Sequence, residues 1–120
     1  MARRVLIVDD SLTTADQLKR IVEGLNGYTV VGHAKDGIEA LALYRSLQPD
    51  IVCMDLIMPR MDGLQATRAI VQLDPQARVA VISSMGGVQD KVNEALRMGA
   101  RTVITKPFHP EQIRQVLESL

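Results

Sequence analysis

Four short apolar runs rich in β-branched residues recur along the chain, at residues 5–8, 51–54, 79–82 and 102–105, and a weaker fifth covers 29–31. The runs are continuous rather than alternating, the pattern of strands covered on both faces, as in a parallel sheet. Between them the apolar residues fall at helical spacing. Leu18, Ile21, Val22 and Leu25 make one stripe, and Ile38, Leu41, Tyr44 and Leu47 a second. Leu64, Thr67, Ile70 and Val71 make a third, Val88, Val92, Ala95 and Leu96 a fourth, and Ile113, Val116, Leu117 and Leu120 a fifth. Each stripe is expected to be the core-facing side of an amphipathic helix.

The punctuation agrees. Ser11 and Asp36 stand where a side-chain oxygen can accept from the unpaired N–H groups of a helix start. Gly27 and Gly99 fall just past predicted helix ends, where a left-handed conformation costs glycine little. Pro49, Pro75 and Pro110 sit at element boundaries, where a missing N–H does least harm. The result is five βα units in one domain, residues 1–120, without linker, repeat or low-complexity segment. Right-handed crossovers then place helices on both faces of an open twisted sheet. The expected class is α/β, a doubly wound five-stranded parallel sheet with five helices. Periodicity does not set the strand order; of the two common doubly wound orders, five strands suit 2-1-3-4-5, the flavodoxin-like one.

Composition narrows the function classes. With 120 residues and 47% hydrophobic positions there is enough apolar surface for one core. Lys plus Arg equals Asp plus Glu at 14 each, so no global field recruits nucleic acid or an anionic membrane. The single cysteine, Cys53, excludes an internal disulfide and a cysteine-based metal cluster, and its apolar run Ile51-Val52-Cys53-Met54 marks it as a buried small hydrophobe. No apolar stretch approaches the ~20 residues of a membrane span, and the N-terminal run is too short for a signal peptide. The expected location is cytoplasmic, with no membrane insertion and no direct contact to nucleic acid.

The chemistry is carried by what ends each apolar run. In open α/β sheets ligands gather beyond the carboxyl ends of the strands. There the 5–8 run ends in Asp9-Asp10, the 51–54 run in Asp55, the 79–82 run in Ser83 and the 102–105 run in Lys106. Two carboxylates ~5 Å apart repel by ~3 kcal/mol at an effective dielectric of ~20. Lys106 cancels only one charge, so a hard divalent cation is the economical remedy. Mg²⁺ fits, because it accepts one or two carboxylates and keeps waters and phosphate oxygens. Asp55 can then act as a nucleophile toward phosphorus, with Lys106 and the metal neutralising the transferring oxygens. Singly, each residue reads as a cap, a turn or a solvated charge. Together they form a site.

These residues carry a resemblance. The stretches Val5-Leu6-Ile7-Val8-Asp9-Asp10 and Asp55-Leu56-Ile57-Met58-Pro59-Arg60-Met61-Asp62-Gly63, the strand-ending Ser83, and Gly99-Ala100 leading to Lys106-Pro107-Phe108 together resemble the receiver domains of bacterial response regulators, over essentially the whole chain. The resemblance implies that Asp55 takes a phosphoryl group from a phosphohistidine on a sensor histidine kinase or phosphotransfer protein. It implies that Asp9, Asp10, Asp55 and the main-chain carbonyl of Ile57 hold Mg²⁺, that Ser83 and Lys106 contact phosphoryl oxygens, and that the Lys106–Pro107 bond is cis. An output protein would bind the face made by the fourth helix, fifth strand and fifth helix. Ser84-Met85-Gly86 resembles the stretch found in some stand-alone chemotaxis receivers, although a fragment of a longer regulator with an effector domain is the alternative. Such a protein assists its own phosphorylation and dephosphorylation only and is not otherwise an enzyme.

Two departures from the family pattern stand out. Val103 replaces an aromatic residue whose ring swings inward on activation, so a reduced rotameric signal, or coupling carried mainly by backbone and eased by Gly86-Gly87, is expected. Ile57 and Met85 replace groups that are often polar, so slow loss of phosphate is expected. His33 and His109 are expected in surface or cap roles, and Met54, Met58, Met61 and Met85 in flexible packing. Two rivals remain. A flavin domain of the same topology would find Asp9 and Asp10 repelling its phosphate and only three aromatic residues to stack on. A Mg²⁺-dependent phosphatase with an aspartyl nucleophile needs a second acid two residues on, where this chain has Ile57.

Overall fold

The computed structural model describes residues 2–84 and 89–120. Along the chain these form β1 (Arg3–Val8), α1 (Leu12–Glu23), β2 (Tyr28–Ala34), α2 (Gly37–Leu47), β3 (Ile51–Asp55), α3 (Gly63–Leu73), β4 (Val79–Ser84), α4 (Gln89–Arg97), β5 (Thr102–Lys106) and α5 (Pro110–Glu118). The five strands pair in parallel in the order β2-β1-β3-β4-β5. That is the doubly wound order expected as the one that suits five strands, and each strand is a residue or more longer than its apolar run.

Strand alternation divides the core between two faces. Leu6, Val8, Val52, Met54, Val79 and Val81 point to one side, where Ala40 and Tyr44 of α2, Ala66 and Ile70 of α3, and Val92 and Ala95 of α4 cover them. Val5, Ile7, Ile51, Cys53, Ala80, Ile82 and Ile104 point to the other, under Ala15, Leu18 and Val22 of α1 and Ile113 and Leu117 of α5. Every residue of β3 is buried. A central strand covered on both sides has no solvent-facing register to slip into, which fixes where its last residue, Asp55, must lie.

Caps end the elements largely where expected. Ser11 accepts from the Thr14 N–H and Asp36 from the Glu39 N–H. Asp62, not anticipated as a cap, forms a reciprocal capping box with Gln65 at the start of α3. Gly27 and Gly99 both have positive φ, although Gly27 lies in the turn before β2 because Gly24 already caps α1. Arg3 and Arg4, consecutive on β1, serve opposite faces. The Arg3 guanidinium donates to the carbonyls of Leu117 and Leu120 at the end of α5, and that of Arg4 to those of Leu47 and Gln48 at the end of α2. Both bring donors to carbonyls at or just past a helix end, where the helical i+4 partners run out.

The stripes need three corrections. Ile38 is 51% exposed and Leu96 is 40% exposed. The buried line of α2 runs through Gly37, Ala40 and Tyr44. Ile38, one residue round from Gly37, is therefore turned by ~100° toward solvent. Leu96 is displaced in the same way by its neighbour Ala95, whose small side chain lets α4 approach the sheet. Leu25 lies beyond the end of α1, although it still packs on the core. The expectations at Met85, Gly86, Gly87 and Val88 fall outside the described residues.

One backbone feature yields a stability prediction. Gln48, the residue after α2, sits at φ 48° and donates its N–H to the Tyr44 carbonyl. A left-handed conformation costs a non-glycine residue ~1–2 kcal/mol, part of which glycine returns through the entropy of the unfolded chain. Gln48→Gly is expected to raise stability by about 0.5–1 kcal/mol in urea unfolding, and Gln48→Ala not to raise it.

Candidate functional site

Register brings the polar strand ends together. Val8 pairs with Met54, so Asp9 and Asp55 follow at one level on neighbouring strands. Asp55 pairs with Ile82, which places Ser83 just beyond it, and Lys106 lies opposite Ser84 on β5. Asp9, Asp10 and Asp55 each offer a carboxylate oxygen, and these oxygens all lie within 4.8 Å of one another. Lys106 Nζ stands 3.9 Å from Asp9 Oδ2.

The local chain holds each group in place. The Asp9 N–H donates to the Ala34 carbonyl at 2.9 Å, and its Oδ1 accepts from the Ser11 N–H at 2.8 Å. The Asp9 carbonyl lies 2.7 Å from His33 Nε2, which must carry the proton to donate there. Asp55 Oδ1 faces the Ile57 N–H at 3.4 Å. The turn after β3 is closed by the Gly63 N–H, which donates to the Leu56 carbonyl at 3.0 Å. A Cβ on Gly63 would stand 2.1 Å from the Asp55 carbonyl oxygen, so only glycine lets α3 start so close to the strand end.

Burial makes this cluster electrostatically incomplete. Asp9 is 1% exposed and Asp55 9%. Burial first, and then the Asp9 carboxylate, lift the Asp55 carboxyl from 3.8 to about 6, against the pull of Lys106. Asp9 Oδ2 is buried with no hydrogen-bond partner among the described residues, and Lys106 is too far to donate to it. A buried carboxylate oxygen without a donor is costly, and a hard cation is the natural way to satisfy it. Carboxylate donors alone, open to water on the Asp10 side, suit Mg²⁺ rather than a soft metal. The residues fit the ion that the sequence pattern implies.

The remaining candidates border this cluster. Ser83 lines a small cavity of about 40 Å³ with Asp55, Leu56, Ile57, Ile82, Ser84 and Lys91. Its hydroxyl donates to the Ser84 carbonyl at 3.3 Å. Ile57 reaches the site through its backbone, while its side chain is 63% exposed. No acid stands two residues beyond Asp55, where the phosphatase rival needs one. Burial pushes the Cys53 thiol up to about 12, which leaves it a packing residue. Val103 packs half-buried against the core, and the Lys106–Pro107 bond is cis. His109 stands at the N-cap of α5 without a side-chain cap bond.

Two neighbours of the site were not anticipated. His33 contacts Asp9 because β2, after a register shift beside Val5 and Leu6, places His33 opposite Ile7. Lys91 reaches the cavity from α4, a distance that helical periodicity does not encode.

Comparison with known proteins agrees with this geometry. A family model described as response regulator receiver domain matches residues 5–118. The chain is 43% identical over 120 residues to the chemotaxis protein CheY of Thermotoga maritima, covering 100% of this chain and 98% of that protein. It is 40% identical over 117 residues to the chemotaxis protein CheY of Bacillus subtilis, covering 98% and 96%. The solved structure of a CheX–CheY–BeF₃–Mg²⁺ complex from Borrelia burgdorferi superposes with a TM-score of 0.89 at 39% identity, covering 98% of this chain and 87% of that one.

The raised Asp55 value has a measurable consequence. The folded metal-free protein keeps a proton on Asp55 that the unfolded chain releases between pH ~4 and ~6, so stability falls as pH rises through that window. In EDTA, Asp55→Asn is expected to be more stable than wild type at pH 7 by about 1–2 kcal/mol, discounted for residual solvent contact, and equal to it near pH 4. Urea unfolding at the two pH values checks this.

Proposed function

The chain belongs to the response regulator receiver domain family, and from that premise we propose that Asp55 is the acceptor of a phosphoryl group delivered by a phosphohistidine. The supporting observation is the cluster of buried Asp9 and Asp55 with exposed Asp10, whose Asp9 Oδ2 has no donor among the described residues, facing Lys106 at the sheet edge. Asp9, Asp10, Asp55 and the Ile57 carbonyl would hold Mg²⁺. Bound there, the ion supplies a Lewis acid that offsets the charge of the carboxylates and the transferring oxygens.

The chain's own groups do the rest. An Asp55 carboxylate oxygen attacks phosphorus in line with the departing imidazole nitrogen. The P–N bond breaks as the P–O bond forms, and its electron pair returns to the imidazole. Lys106, already held beside Asp9, pairs with one equatorial oxygen, and the Ser83 hydroxyl turns from the Ser84 carbonyl to donate to another. The gain in charge and acceptors at Asp55 rewards movement of Ser83 and Lys106. These end β4 and β5, so the response reaches the α4–β5–α5 face, where an output protein would dock. With Val103 in place of a large ring, the backbone of β4 and β5 carries that coupling.

Residues 1–120 act as one receiver that assists its own phosphorylation and dephosphorylation. The likeness to proteins named for chemotaxis supports a chemotaxis-type phosphorelay with a histidine kinase or phosphotransfer protein as donor, in the cytoplasm. Among the described residues no helix is long and apolar enough to cross a membrane.

Mass spectrometry after acetyl phosphate and Mg²⁺ tests the chemistry. Wild type should gain one phosphoryl group, and Asp55→Ala or wild type in EDTA none; equal labelling of Asp55→Ala would refute the assignment. The lifetime is testable separately. Ile57 borders the cavity beside Asp55 and offers no polar side-chain group to orient an attacking water. Ile57→Asn should therefore shorten the phosphorylated lifetime severalfold, followed by decay of the labelled mass.

A further inference from the structure

The turn that carries Ile57 is fastened to α2 at a point away from the carboxylates. Arg60, at φ 64°, is a non-glycine residue in the left-handed region, a conformation that persists only when its surroundings hold it. Its guanidinium donates through Nε at 2.9 Å and through Nη2 to Asp36 Oδ2. Asp36 is 4% exposed, and its other oxygen, Oδ1, caps α2 by accepting from the Glu39 N–H at 2.9 Å. The Glu39 N–H, and then Arg60, hold the Asp36 carboxyl below the usual carboxylate range. Beside this pair the Gly37 N–H donates to the Met61 carbonyl at 2.8 Å, and a Cβ on Gly37 would stand 2.6 Å from that oxygen.

The turn is thus pinned at both ends. The Leu56 carbonyl is taken by Gly63 and the Met61 carbonyl by Gly37. Between them lies the Ile57 carbonyl, the one main-chain oxygen assigned above to the cation. Its position depends on the path of residues 56–61, and Arg60 is the side chain that ties that path to a buried anchor. We propose that Arg60 and Asp36 form a tether that sets the position of the Ile57 carbonyl, which makes Arg60 a positioning residue for the divalent-ion site. This rests on the phosphoacceptor reading above.

Charge and positioning predict opposite signs at Arg60. If the guanidinium acted only through its field, removing it would strengthen Mg²⁺ binding, because a cation near the site opposes another. If it positions the turn, removing it weakens binding. The test is calorimetric titration of the whole protein with MgCl₂. Arg60→Asn keeps a residue that tolerates positive φ but cannot span to Asp36, and Asp36→Asn keeps the cap on Glu39 while losing the ion pair.

Each variant is expected to weaken Mg²⁺ binding by about tenfold, as loss of a support behind a metal ligand commonly does. The double variant should be no weaker than either single one, since both remove the same tether, and Arg60→Lys should fall between wild type and Arg60→Asn. Melting in EDTA shows that each variant is folded. Unchanged or tighter Mg²⁺ binding by Arg60→Asn overturns the tether. If wild type binds no Mg²⁺, or binds it equally well as Asp55→Asn, the phosphoacceptor reading itself fails, so the two failures are distinguishable.

Discussion

The structure turns on the cost of holding like charges together at the edge of an apolar sheet. Asp9 is almost wholly buried, has an oxygen with no donor among the described residues, and lies within a few ångströms of two more carboxylates. At ~5 Å each such contact opposes the fold by ~3 kcal/mol at an effective dielectric of ~20, and Lys106 offsets only part. A fold selected for stability alone would replace Asp9 with an apolar residue. The arrangement makes sense if the balancing charge arrives from solution, as a cation and then a phosphoryl group that the cation makes tolerable.

The rest of the architecture supplies the rigidity this requires. Repulsion would separate the carboxylates if their strands could shift. β1 and β3, which carry them, are neighbouring interior strands, and both enter the site through buried residues on either face of the sheet. Arg3 and Arg4 lock the far end of β1 to the ends of α5 and α2. Gly63 lets α3 begin directly against Asp55. The core is therefore the frame against which the charges are held.

Much of this was legible in the chain. Five apolar runs and five helical stripes implied the α/β class, and the residues ending four of the runs implied a shared site, because the parallel topology gathers strand ends on one edge. Strand order came from preference among folds rather than from periodicity. The misplaced residues have local causes. Ile38 and Leu96 follow a small residue that takes the buried position, so an apolar side chain one step round the helix faces out. His33, Lys91 and the Asp36–Arg60 pair were unreadable for another reason. Each joins elements distant in sequence, and the contact depends on register or on the reach of one side chain. Arg60 lay in view within the motif that carries Asp55, yet nothing in the order of residues pairs it with the cap of α2.

Exposure separates the site into two halves. Asp9 and Asp55 sit on strands buried to their last residues, and the turn after β3 is fastened at Gly63, Met61 and Arg60. Ser83 and Lys106 sit where burial fades. β4 ends half-buried and then exposed, β5 is fully buried only at Ile104, and the Lys106 side chain is 29% exposed. Local opening is easiest where the fewest apolar contacts hold a segment. In the proposed reaction, charge added at Asp55 would act on a fixed anchor from one side and on less restrained groups from the other. A response to it would run on the β4–β5 side, because yielding on the carboxylate side would expose the core.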